Sequence, residues 1–373
     1  MDLTLPTTVA TLRQAADTLA SELLEPVTAA LPAAEGALDP GWRVAVQRRR
    51  AALGLWGLSV PTALGGRGAN WLEEALVQER LQRSPAGLWG QGLWAWGEPP
   101  AALWAADTPF LQACLRGTMV AHQITVPEAP APGAPGLTCM ADGRGAVLSG
   151  RWPAIPAHQT AGLLLVATAI GHRAVVVLCD DRLPGYHAEH LRHGMGSVAL
   201  VDLVWDGCRV GPERLLEAGE AALVWQAHQQ VTQLGAGAVG AAARCLEMGL
   251  DYARRRQTFG RPLADRQAIQ WMLADSAREL HAARLLLYRV ASLADAGDVE
   301  AALRLAGPAK AYATDAACRI ADRMLQLHGG YGYTRHLPLE RIWRELRFYR
   351  LAEGRNEDLV AASTPSLLAA LDA

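Results

Sequence analysis

Lysine is nearly absent from this chain of 373 residues. Lys310 is the single lysine, and arginine supplies the other 34 of the 35 basic residues. A phosphate-binding P-loop needs a lysine within a glycine-rich motif, and the sequence contains no such motif. Schiff-base chemistry is restricted to Lys310 for the same reason. The scarcity of lysine therefore excludes most lysine-dependent enzymes.

An excess of charge of either sign is also absent. The formal net charge is −2, so a general attraction to nucleic acid or to an anionic membrane has no support. The six cysteines form no CxxC pair, which argues against a structural zinc site and a disulfide framework. No HExxH or HxxxH pattern occurs, and His187, His190 and His193 fall in a predicted loop. We therefore predict no metal site.

Long apolar runs are missing as well. The longest, at residues 161–170, is shorter than the roughly 20 residues that a membrane-spanning helix needs. The N-terminal sequence lacks the basic and apolar regions of a secretion signal. We expect a cytoplasmic protein on these grounds. The hydrophobic content of 51% and charged content of 19% are typical of a globular chain with a large core.

Residues 1–119 are predicted to form an N-terminal helical domain. Apolar residues recur there every three or four positions, as one buried helix face requires: Leu12, Ala16, Leu19 and Leu23. A further helix is predicted over residues 71–81. A cluster of tryptophans follows, comprising Trp89, Trp94, Trp96 and Trp104. Such a cluster either packs a core or lines an acyl pocket, and packing is the commoner role.

Residues 120–216 are predicted to form a central β domain. Short runs rich in Val, Ile and Leu alternate with turn residues at positions 163–169, 174–179 and 198–204. Alternate positions from 199 onward carry the apolar residues Ala199, Val201, Leu203 and Trp205, as a half-buried strand requires. The pattern predicts a small antiparallel sheet domain.

Residues 217–373 are predicted to form a helical bundle. Apolar residues recur at helical spacing, namely Val239, Ala243, Leu246, Leu250 and Ala253. The run Gly235-Ala-Gly-Ala-Val-Gly240 is similar to a dinucleotide-binding loop. However, it lies inside the helical pattern without a preceding strand. Close packing between helices is the better interpretation of these glycines.

Five motifs follow one another in this C-terminal region. They are Tyr252-Ala-Arg-Arg-Arg-Gln-Thr-Phe-Gly-Arg-Pro-Leu263, Gln267, Ala309-Lys310, Gln326-Leu-His-Gly-Gly-Tyr-Gly-Tyr-Thr334 and Glu353-Gly354. In their order and spacing, these motifs resemble the acyl-CoA dehydrogenase family. The resemblance implies a mainly α fold with an N-terminal helical domain, a middle β-barrel-like domain and a C-terminal four-helix bundle. It also implies a homodimer or homotetramer, with FAD between the last two domains and reaching a neighbouring subunit.

The resemblance further implies which residues contact FAD. These cofactor-binding residues are Arg256, Phe259, Gln267, Gln326, Gly329, Gly330 and Thr125. Arg256 corresponds to the family arginine that binds the FAD pyrophosphate, and its planar fork of donors suits two phosphate oxygens. Glycines such as Gly329 and Gly330 let the backbone approach the cofactor without a clash from a Cβ atom.

Glu353 corresponds to the catalytic base of the family. A base must remove the proton α to the thioester while the β-hydride leaves to the flavin. An apolar pocket raises the pKa of a carboxylate and suits it to take this proton. The implied function is FAD-dependent introduction of an α,β double bond into an acyl-CoA or an acyl chain on a carrier protein, as in fatty acid metabolism. An electron-transfer flavoprotein or oxygen would reoxidise the flavin.

Several positions depart from the family pattern. Arg355 replaces the threonine that follows the Glu-Gly pair, and Val231, beside Gln230, replaces an arginine usual near the active site. Pro156 lies where the family strand bonds the flavin ring, and it offers neither a hydroxyl nor an N–H.

The run Ser149-Gly-Arg-Trp-Pro153 resembles instead a flavin-dependent monooxygenase branch of the same superfamily. Two alternatives therefore accompany the dehydrogenase. One is a non-catalytic paralogue that serves as a structural or binding subunit, and the other is a flavin-dependent monooxygenase or oxidase.

Overall fold

The computed structural model describes residues 7–28, 40–84, 120–125, 136–156, 162–170, 173–191, 200–217 and 221–371. Helices dominate the first two of these ranges, strands the next five, and helices the last. This order of helical, β and helical regions is the predicted one. Several residues singled out in the sequence lie outside the described ranges, namely Trp89, Trp94, Trp96, Trp104, His193 and Ala199.

The N-terminal helices are α1 (Thr7–Leu19), α2 (Glu25–Thr28), α3 (Pro40–Ala52) and α4 (Trp71–Leu81). A π-helical turn at Ala20–Leu24 joins α1 directly to α2. Leu12 and Leu19 are buried as predicted, but Leu24 is fully buried where the spacing predicts Leu23. The wider π-helical turn holds more residues than an α-helical turn, so it displaces the buried face by one position.

Helix α4 begins at a capping box. The Asn70 side chain accepts a hydrogen bond from the Glu73 backbone N–H at 2.9 Å, and the Glu73 carboxylate accepts one from the Asn70 N–H at 3.2 Å. The Asp295 carboxylate accepts from the next two backbone N–H groups, those of Trp71 at 2.8 Å and Leu72 at 3.1 Å. Asp295 belongs to the C-terminal region, so these bonds fix α4 against the bundle.

The strands of the central region are β1 (Val120–Thr125), β2 (Leu137–Asp142), β3 (Gly145–Pro156), β4 (Gly162–Ile170), β5 (Arg173–Cys179), β6 (Tyr186–Leu191), β7 (Leu200–Val210) and β8 (Leu215–Glu217). They form two four-stranded sheets, with strand orders β1-β4-β5-β8 and β2-β3-β7-β6. The β1–β4 pair is parallel, so the prediction of an antiparallel domain is wrong there. The β2–β3 hairpin of the other sheet separates these two strands and provides the crossover that parallel pairing needs. His187 and His190, which were predicted to be in a loop, lie in β6.

The two sheets pack face to face around a single core. Val166 and Val177 of the first sheet share this core with Leu203 and Trp205 of the second. Leu203 and Trp205 are buried at alternate positions of β7, as the sequence pattern predicts. The domain that the resemblance describes as barrel-like is therefore a pair of facing sheets in the described part of the chain.

The C-terminal helices are α5 (Ala221–His228), α6 (Ala236–Arg255), α7 (Gln267–Asp295), α8 (Val299–His328), α9 (Leu339–Tyr349) and α10 (Asn356–Leu371). A π-helical segment at Gln229–Gly235 joins α5 to α6, and a small hairpin of β9 (Gln257–Thr258) and β10 (Arg261–Pro262) follows α6. Of the residues predicted to line one face of α6, Leu250 is exposed and the others are buried. Among the helices that the structure describes, none combines the length and the hydrophobicity that a membrane-spanning segment requires.

Helix α8 lies at the centre of the bundle, where it packs against α6, α7, α9 and α10. Helix α4 packs across α6 at two glycines. A Cβ atom added at Gly237 would lie 2.0 Å from the Gln82 Oε1 atom, and one at Gly240 would lie 2.2 Å from the Glu79 carbonyl oxygen. The glycine run therefore serves close helix packing, which confirms that interpretation of the sequence.

Candidate active site

Glu353 lies in the turn between α9 and α10, which we call the Glu353 turn (residues 350–355). Its φ is +51°, in the left-handed region, and the following Gly354 has a φ of +102°. A non-glycine residue in this conformation costs on the order of 1–3 kcal/mol and persists where the surroundings fix it. Such strain is typical of functional sites.

Two buried side chains hold the backbone of the Glu353 turn. The Gln230 Nε2 atom donates to the Glu353 carbonyl oxygen at 2.7 Å, and the Lys310 Nζ atom donates to the Gly354 carbonyl oxygen at 2.8 Å. Gln230 belongs to the π-helical segment before α6, and Lys310 to α8. Two residues far apart in the sequence thus fix the backbone carbonyl groups of Glu353 and Gly354.

Asn356 fixes the far end of the same turn. It is buried at the start of α10, and its Oδ1 atom accepts from Lys310 Nζ at 3.0 Å. Its Nδ2 group donates to Thr314 Oγ1 and Asp315 Oδ1, each at 2.9 Å. Neither Asn356 nor Thr314 was predicted from the sequence. The Asn-Glu-Asp start of α10 is the one local signal that favours a helix beginning there.

The Glu353 carboxyl and the Lys310 ammonium influence each other. Burial raises the pKa of the Glu353 carboxyl to about 7, and the positive charge of Lys310 opposes part of this rise. Burial lowers the pKa of Lys310 to about 7, and the negative charge of Glu353 opposes part of this fall. The Glu353 carboxylate can consequently accept a proton close to neutral pH, as a general base must.

Most of the predicted cofactor-binding residues lie elsewhere, at the end of the bundle where α6 and α8 end and α7 begins. We call them the bundle-end cluster, which comprises Arg256, Phe259, Gln267, Gln326, Gly329 and Gly330. Stacking of Tyr252 on His328, with ring centroids 4.2 Å apart, joins the ends of α6 and α8. The fold therefore brings the predicted residues that follow α6 close to those at the end of α8.

The bundle-end cluster faces solvent. Among the described residues, the Arg256 guanidinium has neither an ion pair nor a hydrogen bond, and the Phe259 side chain is 98% exposed. Gly329 has a φ of +61°, and no atom lies within 4 Å of a Cβ atom placed on Gly329 or Gly330. A free guanidinium, an exposed ring and an open glycine backbone fit the diphosphate and the flat base of a dinucleotide.

The Glu353 turn and the bundle-end cluster are far apart within one chain. Lys310, which contacts the turn, precedes Gln326 of the cluster by 16 residues on α8. At 1.5 Å per helical residue, this separation is about 24 Å along the helix axis. A single chain thus does not bring the predicted base together with these predicted cofactor residues.

The remaining predicted positions lie in the β region and beside Glu353. Thr125 is the last residue of β1 and pairs with Ala167 of β4. Pro156 is the last residue of β3, opposite Leu200. The Arg355 guanidinium donates twice to the Asp358 carboxylate, at 2.7 and 2.9 Å, and is exposed. The substitution at 355 therefore produces a local ion pair on the surface.

Comparison with known proteins identifies the family. The model of the acyl-CoA dehydrogenase N-terminal domain matches residues 7–96, and that of the C-terminal domain matches residues 218–363. The chain is 30% identical to (R)-benzylsuccinyl-CoA dehydrogenase of Thauera aromatica, over 82% of this chain and 80% of that protein. It is 31% identical to 3-sulfinopropanoyl-CoA desulfinase of Paraburkholderia xenovorans, over 84% of this chain and 85% of that protein.

The fold is also found in a solved structure. The structure of an acyl-CoA dehydrogenase from Bacillus anthracis complexed with FAD superposes with a TM-score of 0.82 and 21% identity. The match covers 98% of this chain and 67% of that chain. The chain therefore belongs to the acyl-CoA dehydrogenase family.

Proposed function

We propose that this protein is an FAD-dependent dehydrogenase that introduces an α,β double bond into an acyl thioester. The proposal rests on Glu353. This residue lies in a strained turn that two hydrogen bonds hold, and burial raises the pKa of its carboxyl to about 7. The named relatives act on CoA thioesters, which supports acyl-CoA as the substrate class ahead of an acyl carrier protein.

Glu353 supplies two groups to the reaction. Its carboxylate removes the proton from the α carbon of the acyl chain, and its own protonation balances that step. Its backbone N–H donates to no acceptor in the described part of the chain, so it is available to polarise the thioester carbonyl. Bound FAD supplies the acceptor for the hydride that leaves the β carbon, which completes the C=C bond.

The bundle-end cluster supports a composite cofactor site. Arg256 would hold the FAD diphosphate, and the open backbone at Gly329 and Gly330 would lie against the dinucleotide. The cluster lies about 24 Å along α8 from Lys310, which contacts the Glu353 turn. We therefore expect it to bind the FAD whose flavin lies beside Glu353 of a neighbouring subunit. A homodimer or homotetramer follows, with an electron-transfer flavoprotein as the proposed partner that reoxidises FAD.

A second candidate is a non-catalytic subunit of a larger assembly. Two observations favour it: Pro156 at the end of β3 has no N–H to donate, and Arg355 is paired with Asp358. Both positions contribute flavin contacts in the family that the chain resembles. Neither observation involves the hydrogen bonds from Gln230 and Lys310 that hold the Glu353 and Gly354 carbonyl groups, which is why the dehydrogenase is the first candidate.

The visible spectrum followed by an anaerobic substrate screen separates the two candidates. The dehydrogenase predicts a yellow protein, or one that takes up FAD, whose flavin absorbance bleaches with one acyl-CoA of a panel of straight, branched and aryl-substituted chains. The product is then the acyl-CoA lacking two hydrogens, identified by mass spectrometry. A colourless protein that takes up no FAD supports the non-catalytic subunit.

A further inference from the structure

We propose that Lys310 is a positioning residue for Glu353: its ammonium holds the turn that carries the base and provides the positive charge that favours the ionised carboxylate. The inference rests on the proposed function, because Glu353 is the catalytic base only in that function. No residue other than Lys310 in the chain carries an amine on its side chain, which makes the role directly testable.

Lys310 is fully buried. Its side chain is 0% exposed, midway along the central helix α8. Burying an ammonium group is costly unless its donors are hydrogen-bonded. Its Nζ atom donates to the Gly354 carbonyl at 2.8 Å and to Asn356 Oδ1 at 3.0 Å. Both acceptors lie in or directly after the Glu353 turn, so this turn compensates the buried charge.

Lys310 also stabilises the strained backbone of the Glu353 turn. Gln230 holds the Glu353 carbonyl, and Lys310 holds the next carbonyl, that of Gly354. Gly354 is a glycine with a φ of +102°, and its backbone rotates easily when no partner fixes it. Loss of the Lys310 donor would therefore release the peptide between Gly354 and Arg355, one residue beyond the base. The conformation of the turn that carries the Glu353 carboxylate depends on that peptide.

Several charged groups surround Lys310. The acidic groups near its ammonium are Glu353, Asp315 on the same helix and Glu357 on α10, and the nearby cation is Arg350 at the end of α9. The Arg350 guanidinium pairs with Asp315 at 2.5 Å and with Glu357 at 3.2 Å. These two carboxylates already have a cationic partner, so Glu353 is the main counter-charge of Lys310.

Two substitutions separate position from charge. Lys310→Met removes the donors and the charge with little change in length, and Lys310→Arg keeps the charge but cannot reproduce the compact ammonium. Ser276→Ala is the matched control, because the buried Ser276 hydroxyl donates within its own helix to the Met272 carbonyl at 2.8 Å.

We expect anaerobic flavin reduction by the Lys310→Met holoenzyme to be about 10- to 100-fold slower, at little change in the substrate concentration for half-saturation. The acid limb of its pH–rate profile should move to higher pH. Lys310→Arg should restore the position of this limb without the full rate, and Ser276→Ala should behave as wild type. A Lys310→Met enzyme with wild-type rate and pH profile would overturn the inference. A wild-type protein that no acyl-CoA reduces would instead remove the proposed function.

A titration that needs no enzymatic turnover tests the interaction between Lys310 and Glu353 separately. Labelling with ¹³C- and ¹⁵N-lysine gives a single lysine side-chain signal, because the chain has a single lysine. We expect this signal to titrate well below the ordinary lysine pKa of about 10.4 and its midpoint to fall further in Glu353→Gln. A midpoint that Glu353→Gln leaves unchanged would show that the ammonium and the carboxylate do not interact and would overturn the inference. This result is obtained even if Lys310→Met fails to fold.

Discussion

Glu353 occupies a backbone conformation that its own side chain disfavours. The left-handed φ of +51° is held by hydrogen bonds from Gln230 and Lys310, which belong to two other helices. The sequence resemblance predicted Glu353 as the base from the position of the Glu-Gly pair after the other C-terminal motifs. It could not predict the residues that hold the turn, because the contact of residue 230 with residue 353 exists only after the bundle has packed.

The raised pKa of Glu353 predicts a particular pH dependence. A base must be ionised, and burial raises the pKa of this carboxyl to about 7, so activity is present above that pH and is lost as the pH falls through it. We expect kcat/KM for flavin reduction to decrease about tenfold per pH unit below the midpoint. A stopped-flow series from pH 5 to 9 measures this, with the flavin spectrum at each pH as the control for cofactor loss. A midpoint near the ordinary glutamate value would contradict the assignment.

At the scale of elements, the close approach of α4 to α6 depends on glycine. A Cβ atom at Gly240 would meet the backbone carbonyl of Glu79 at 2.2 Å, and a backbone group cannot move aside. Gly307 of α8 is a matched control, because its Cβ atom would lie 3.3 Å from the Leu359 side chain, which can adjust.

We predict that Gly240→Ala lowers the free energy of unfolding by about 1–3 kcal/mol, as overpacking of a core does. Gly307→Ala gains the same helix propensity without a backbone clash, so it should cost much less. Denaturant unfolding of both variants measures the difference. Equal stability of the two variants would show that α4 and α6 do not pack as described.

The elements themselves could be predicted well, and the exceptions have physical causes. Residues 71–81 form α4 as predicted, because Asn70 and Glu73 make a capping box that the local sequence encodes. The burial of Leu24 in place of Leu23 could not be predicted, since the π-helical turn there has no sequence signal. The parallel β1–β4 pair was missed because strand pairing depends on long-range order and not on alternation within a strand.

The whole molecule places most of its predicted functional residues at two sites, and Thr125 lies apart from both in β1. The Glu353 turn lies beside the middle of α8, and the bundle-end cluster lies at the end of the same helix. The sequence predicted both groups of residues from their motifs. The distance between them, about 24 Å along α8, follows only from the lengths of the helices.

A mixed oligomer tests whether two chains share one site. We expect Glu353→Gln and Arg256→Gln each to abolish or strongly reduce activity alone. Suppose that each active site combines Glu353 of one chain with Arg256 of another. In a mixed oligomer of the two variants, half of the sites then carry both substitutions and the other half carry neither. Isolation through two different affinity tags should then recover about half of the wild-type activity per site.

An oligomer of Glu353→Gln chains carrying both tags is the control for this experiment, and it should stay inactive. Mixed oligomers that are no more active than their parents would place both residues in the same site of one chain. They would also contradict the proposed role of the bundle-end cluster at a neighbouring flavin.

Anaerobic reduction of the flavin by an acyl-CoA, followed in wild type and Glu353→Gln side by side, tests the central claim most directly. Both proteins should bind FAD with the same visible spectrum, because Glu353→Gln leaves Arg256, Gly329 and Gly330 of every chain in place. Addition of the acyl-CoA should bleach the wild-type flavin and leave that of Glu353→Gln oxidised. Equal bleaching of both proteins would show that another group removes the proton and would contradict the account.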